Sequence, residues 1–369
     1  MEKSKIGVLT SGGDCAGLNS AVKWVVMTAL DDRLQKEDGV QYEILGIRDG
    51  WRGLLNAEPE GLKFEENIWP LDPKTVRTWD RYGGTFLGTS RTNPFDPKND
   101  RSKIAVANAH KLGLDALIAI GGDDTIGAAI KLAQLGVNVI GIPKTIDKDL
   151  PETDYSLGFE TALNVIVEEI DRLRTTAGSH HRVFIVEIMG RTAGWLALEG
   201  GEAAGADMIL IPEFDFSMDR VNELVIEKKK TGAVYQIIAC SEGAKATGSG
   251  EIYKGEQIDS FGHKVLGGVG EWLADEISRG TKLETRSVVL SHLQRGGAPC
   301  AYDRRMGRYF GIAAVGLLRK KDFGKMVCYK GGKITSVPFT KVMGRLSVVD
   351  VKTQYDTERY NGRRIVPGI

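Results

Sequence analysis

The 369-residue chain is 42% hydrophobic and 27% charged, ordinary for a globular protein of about two domains at roughly 150 residues each. Its 49 lysines and arginines balance its 49 aspartates and glutamates, which argues against a general binder of nucleic acid or anionic membranes. No apolar run reaches the roughly 18 residues a membrane span needs, and "MEKSKIGVLTSGGD" enters a strand-like segment without a signal-peptide pattern, so the expected location is the cytoplasm.

"KIGVLT" (5–10) reads as a buried strand and "NSAVKWVVMTAL" (19–30) as the helix after it. The loop between them, "TSGGDCAGLNSAV" (10–22), carries Gly12, Gly13 and Gly17. Glycines let backbone N–H groups approach an anion, and a helix N-terminus adds partial positive charge. The loop fits a phosphate contact or, more plainly, a tight strand-to-helix turn. "DALIAI" (115–120) is a second strand, "TIGAAIKLAQLG" (125–136) a helix stopped by Gly136, and "VNVIGI" (137–142) a third strand. Before that helix, "GGDD" ends in Asp123 and Asp124. Asp123 suits a carboxylate holding Mg²⁺ that bridges phosphate oxygens. The plain alternative makes both aspartates helix-start residues.

"PKTIDKDLPETDYSLGFETA" (143–162) sets Asp147 and Asp149 two apart, on one side of the chain if the loop is extended. One suits a general base and the other its environment or the metal's, with Lys144 and Lys148 interleaved. A solvated turn of alternating charge fits equally well. A long helix over 159–178 follows, then strand candidates at 182–188, 207–212, 233–240 and 286–291. Helical stretches lie around 192–204, 219–230, 267–280 and 301–319, and segments 56–80 and 345–369 are the least regular. In "EIMGRTAGW" (187–195), Arg191 follows Gly190 at a strand end and suits a bidentate phosphate contact. His292 and Arg295 in "LSHLQRGGAP", with Arg182 and Arg286, form a set of basic residues beside strands that an anionic ligand explains better than solvent does. The four cysteines, Cys15, Cys240, Cys300 and Cys328, show no metal-binding or redox spacing and read as free thiols. The strands are continuously apolar, as parallel strands buried on both faces are. The expected class is therefore doubly wound α/β, with ligands at the carboxyl ends of strands.

Together "TSGGDCAGLN", "FLGTSR", "GGDDT", "PKTIDKD", "TDYSLGFETA", "EIMGRTAGW" and "LSHLQRGG" resemble, in order, the motifs of the phosphofructokinase family. The resemblance implies two Rossmann-like parallel-sheet domains with the active site in the cleft between them. One is a phosphoryl-donor domain of 1–158 and 294–345; the other is a fructose 6-phosphate domain of 159–293 and 346–369. It implies phosphorylation of the sugar's 1-hydroxyl, with Mg²⁺ as cofactor. Gly12, Gly13, Asp124, Thr125 and Lys144 would meet the donor, and Asp123 the metal. Asp147 would be the base, Asp149 a supporting acid, and Thr145 a sugar contact near the transferred group. Arg91 and Arg191 would steady the charge on the moving phosphoryl group. Met189, Gly190 and Glu242 would line the sugar, and Arg182, Arg286, His292 and Arg295 would clamp its 6-phosphate. Arg182 and Arg286 would come from a neighbouring subunit, which implies a homo-oligomer, dimer or tetramer, with shared active sites.

ATP-using members typically carry glycine where this chain has Asp124. Here the side chain would fill the space of the nucleotide's α-phosphate. Like charges roughly 4 Å apart oppose each other by about 4 kcal/mol at an effective dielectric of about 20, or about three decades in affinity. Inorganic pyrophosphate has no α-phosphate to lose. Asp124 with Lys144 thus resembles the pyrophosphate-dependent branch, whose reaction runs both ways. The alternatives are an ATP-dependent enzyme in which Asp124 turns aside, a non-catalytic sugar-phosphate-binding subunit, and another ketose phosphate, such as sedoheptulose 7-phosphate, as acceptor. The second is disfavoured because Asp123, Asp147 and Asp149 are all present. Lys148 departs from the family's usual asparagine. Either it lowers the pKa of Asp147, or the alternation of an extended loop points it away.

Overall fold

Ala116–Gly121 is six buried residues with no charged or polar side chain, and it forms the middle strand of a seven-stranded sheet. The structure, a computed structural model, describes residues 1–57, 64–248, 253–258 and 264–364. The irregular segments 56–80 and 345–369 therefore reach outside the described residues at 58–63 and 365–369. The chain divides into two units. The first comprises Met1–Ile146, Leu150–Thr161 and Arg295–Leu346; the second comprises Asp147–Asp149, Ala162–Gln294 and Ser347–Ile369. Asp147–Asp149 thus groups with the second unit although the residues on either side belong to the first.

In the first unit the strand order is Lys333–Pro338, Lys325–Lys330, Val139–Pro143, Ala116–Gly121, Glu2–Thr10, Val40–Ile47 and Ile68–Leu71. All neighbours pair parallel except at the two edges, where Lys333–Pro338 and Ile68–Leu71 run antiparallel. Pro70 fits the edge strand, where no ladder donor is required of it. The register sets Thr10 opposite Ile120 and Gly121 opposite Pro143, so three strands end level. The loops beginning at Ser11, Gly122 and Lys144 consequently leave the sheet side by side, at its carboxyl edge.

The second unit holds a four-stranded parallel sheet in the order Thr285–Val289, Val183–Ile188, Gln236–Ser241, Met208–Leu210. Ile188 lies opposite Ser241, and Val289 opposite Glu187. The segments that follow, carrying Met189–Arg191, Glu242 and His292, again emerge together. Mixed α/β architecture with parallel sheets is the expected class. Among the strands that escape the sequence reading are Val40–Ile47 and Lys325–Lys330. Each mixes polar residues into its outer end and is fully buried over only part of its length. The helix expected from 125 begins at Asp123, so both aspartates occupy its first turn. All four cysteines are free.

Asp303 anchors the first unit. It lies in the first turn of the Ala301–Arg319 helix and is fully buried. One carboxylate oxygen accepts from the Tyr155 hydroxyl (2.6 Å) and the Gly158 amide (2.7 Å); the other accepts from the Thr161 amide (2.9 Å) and hydroxyl (2.6 Å). A charge with no water around it is tolerated only with such saturation. The segment it holds fixes two others: Ser156 Oγ donates to the Thr145 carbonyl (2.7 Å), and the Cys15 thiol to the Leu157 carbonyl (3.3 Å). Asp303→Ala strips a charged acceptor from four buried donors. At about 1.5–3 kcal/mol for each hydrogen bond to a charged group, the variant should lose at least about 3 kcal/mol in chemical denaturation. A wild-type midpoint would remove Asp303 from this role.

Candidate active site

The first glycine loop works through close approach. The Gly12 amide donates to the Ser90 carbonyl (3.1 Å), and its carbonyl accepts from Thr89 Oγ1 (2.6 Å), so this amide serves the loop itself. The gain is space: a Cβ at Gly12 would sit 3.2 Å from Thr125 Oγ1 and 3.7 Å from Lys144 Nζ. At Gly13 it would lie 2.5 Å from Arg295 Nη1. The Lys144 ammonium donates to the Gly13 carbonyl, and Arg295 Nη1 to the Asp14 carbonyl (3.1 Å). Lys144 is 3% exposed and Thr125 2% exposed, so this cation acts in a dry setting. Gly12, Gly13, Thr125, Lys144 and Arg295 therefore converge within the first unit.

Asp123 and Asp124 open the Asp123–Gln134 helix, whose N-cap, Gly122, has no side chain with which to cap it. Both line one cleft of about 390 Å³, together with Lys131, Arg345 and the apolar Ile126 and Met343. Negative charge is favourable at a helix start. Among the described residues no group of three or more His, Cys, Asp or Glu side chains is arranged to hold a metal. Asp123 instead fits a hard cation that keeps waters and is shared with substrate phosphates. Arg91 is exposed, directly after Ser90. Thr145 is buried.

In the second unit, Asp147 is buried and Asp149 half-buried. Lys148 between them has φ +54°, a left-handed turn, so the loop is not extended as expected. Its ammonium meets Glu199 Oε1 at 2.6 Å. Gly190 has φ +146°, and a Cβ there would meet the Ala193 carbonyl at 2.5 Å, so only glycine fits. Glu242 Oε1 accepts from the Gly190 (3.4 Å) and Arg191 (3.1 Å) amides, while the Met189 amide donates to Gln294 Oε1 (3.4 Å). Met189, Gly190, Arg191 and Glu242 thus form one group.

Arg182 and Arg286 also meet, through a residue the sequence reading passed over. Both guanidinium groups reach Glu284 Oε1, at 2.8 and 2.7 Å. The hydrogen bond from Arg182 holds the Glu284 carboxyl below its ordinary range. The signal was local, an acid two residues before an arginine in "LETRS". His292 is exposed, with Nδ1 3.1 Å from Ser291 Oγ. Arg295 belongs to the first unit and His292 to the second, so the "LSHLQRGG" motif is divided between them.

The sequence profile of the phosphofructokinase family matches residues 5–318. The chain belongs to the phosphofructokinase family. A relative from Dictyoglomus thermophilum named pyrophosphate–fructose 6-phosphate 1-phosphotransferase is 48% identical over 354 residues, covering 95% of this chain and 96% of that protein. An ATP-dependent 6-phosphofructokinase of Chloroflexus aurantiacus is 42% identical over 355 residues, covering 94% and 93%. Among solved structures, phosphofructokinase from Saccharomyces cerevisiae matches with a TM-score of 0.76 and 28% identity over 92% of this chain, which spans 45% of the yeast chain. Among the described residues of this phosphofructokinase, no helix is long and apolar enough to cross a membrane.

Glu242 is the titrating group of the second-unit cluster. Burial first, and then the nearby Asp147 charge, push its carboxyl from 4.5 up to about 7. Its folded value is raised, so the associated stability is fully present below about pH 4.5 and is lost as pH rises through about 7. Glu242→Gln should match the wild type in denaturation midpoint near the lower value and exceed it above the higher one. Parallel curves across that window would show that Glu242 is not the group responsible.

Proposed function

We propose that this phosphofructokinase takes its phosphoryl group from inorganic pyrophosphate and transfers it reversibly to the 1-hydroxyl of fructose 6-phosphate, giving fructose 1,6-bisphosphate and phosphate. The observation that carries the donor choice is the position of Asp124. It opens the same helix as Asp123 and lines one cleft with it. A donor with a third phosphate and a nucleoside would bring further negative charge against it, while pyrophosphate ends short of it. Lys144, buried against the Gly13 carbonyl, supplies a cation to a compact donor.

In this reading Asp147 accepts the proton of the sugar's 1-hydroxyl as that oxygen attacks the nearer phosphorus. The bond from this phosphorus to the bridging oxygen breaks, and phosphate leaves. Arg91 and Arg191 steady the charge on the transferring group, and Asp149 supports the base. Asp123 would hold Mg²⁺, which when bound neutralises charge on the donor phosphates. Gly12, Gly13, Thr125 and Lys144 hold the donor. Thr145, Met189, Gly190 and Glu242 hold the sugar, and Arg182, Arg286 and His292 its 6-phosphate, while Arg295, first assigned to that clamp, stands with the glycine loop of the first unit. Arg182, Arg286 and the exposed Val289 and Leu293 lie on or beside one edge strand, which supports a homo-oligomer whose active sites are shared. The cytoplasm is the proposed location. ATP as donor is a second reading, favoured by the relative of that name at 42% identity.

Asp124→Gly tests the donor assignment. Removing the charge should raise ATP-supported turnover efficiency by about two to three decades. An unchanged ATP rate in a folded variant would show that Asp124 does not set the donor.

A further inference from the structure

Resting on the reading of Asp147 as the base, we propose that Lys148 is a positioning residue, which presets the Asp147–Asp149 tripeptide through its left-handed turn and its ion pair with Glu199 beside Trp195. A lysine gains nothing intrinsic from φ +54°, since its Cβ crowds the backbone there; glycine is at ease in that region. Something must hold it, and the side chain shows what does. Lys148 Nζ lies 2.6 Å from Glu199 Oε1 and 4.8 Å from the centroid of the Trp195 ring. Both partners sit on the Trp195–Ala203 helix, one turn apart, so the ammonium meets a rigid surface.

The neighbouring residue is tied in as well. The Ser347 amide donates to the Asp149 carbonyl (2.7 Å), and the Ser347 carbonyl accepts from Trp195 Nε1 (3.2 Å). Glu213 Oε1 fixes both ends of this arrangement, accepting from the Gly194 amide (2.8 Å) and the Val349 amide (2.9 Å). Trp195 is therefore shared. Its ring faces Lys148, and its indole N–H holds the strand of chain that secures Asp149. The base has a fastened residue on its C-terminal side, then another, and the tripeptide's place in the second unit follows from those fastenings.

The test compares Lys148→Ala, Lys148→Gly and Glu199→Gln in the full-length protein, assayed with pyrophosphate, Mg²⁺ and fructose 6-phosphate. Alanine loses the ion pair and still disfavours the turn; its kcat should fall about tenfold or more, with both KM values moving less than about threefold, because misplacement of a reacting group acts on turnover. Glycine accepts the turn without help and should regain most of that loss. Glu199→Gln should fall between them, and it stands in for the alanine variant if that one does not fold. Wild-type kcat in both Lys148→Ala and Glu199→Gln would overturn the proposal. So would equal losses in the alanine and glycine variants with the acidic limb of the kcat–pH profile shifted in both, since that is a charge effect on the base. Asp147→Asn separates the two layers. Wild-type turnover in it would sink the base assignment itself, whereas an inactive Asp147→Asn beside a fully active Lys148→Ala would sink only the role of Lys148.

Discussion

The bond from the Lys144 ammonium to the Gly13 carbonyl is the interaction on which the proposed donor site depends. It lies in a glycine pair: Gly12 has φ +81° and a Cβ there would crowd Thr125 Oγ1 at 3.2 Å, while one at Gly13 would strike the Arg295 guanidinium. It requires three strand ends to be level, so that the loops after Thr10, Gly121 and Pro143 reach one another. It also requires burial. An ammonium in a dry site attracts an incoming phosphate more strongly than an exposed one would, and its own desolvation is offset when that phosphate arrives. The glycines therefore do something different from offering bare amides to an anion. They clear room for two cations and a hydroxyl.

Much of this was legible in the sequence. The apolar runs at 5–10, 115–120 and 137–142 coincide with buried parallel strands to within three residues, because burial on both faces leaves no choice of side chain. The loops beginning at Ser11, Gly122 and Lys144 follow such strands directly, so their place at the sheet edge came from local signals alone. Asp123 and Asp124 were recognisable as a pair, and their shared cleft follows from their sharing a helix turn.

What was not legible depends on partners far apart in the chain. Asp303 looks like an ordinary helix-start acid, and its donors lie 142 to 148 residues away. Arg295 reads as one of a cationic set, yet the carbonyl it bonds is 281 residues distant. Lys148 is the instructive case. Its segment does not alternate as an extended one would, since a single left-handed residue turns the chain and the ammonium meets Glu199. No periodicity signals a left-handed lysine. The Glu199 carboxylate and the Trp195 ring that hold its side chain are on a helix that sequence spacing does not bring near.

Two donors divide the relatives of this chain by name, and the physical difference proposed between them is one charge at the start of one helix. The most direct measurement supplies the unmodified protein with Mg²⁺, fructose 6-phosphate and either pyrophosphate or ATP, and follows fructose 1,6-bisphosphate. The account predicts rapid formation with pyrophosphate and a rate lower by about two to three decades with ATP. Comparable rates with ATP, or activity with ATP alone, would contradict it.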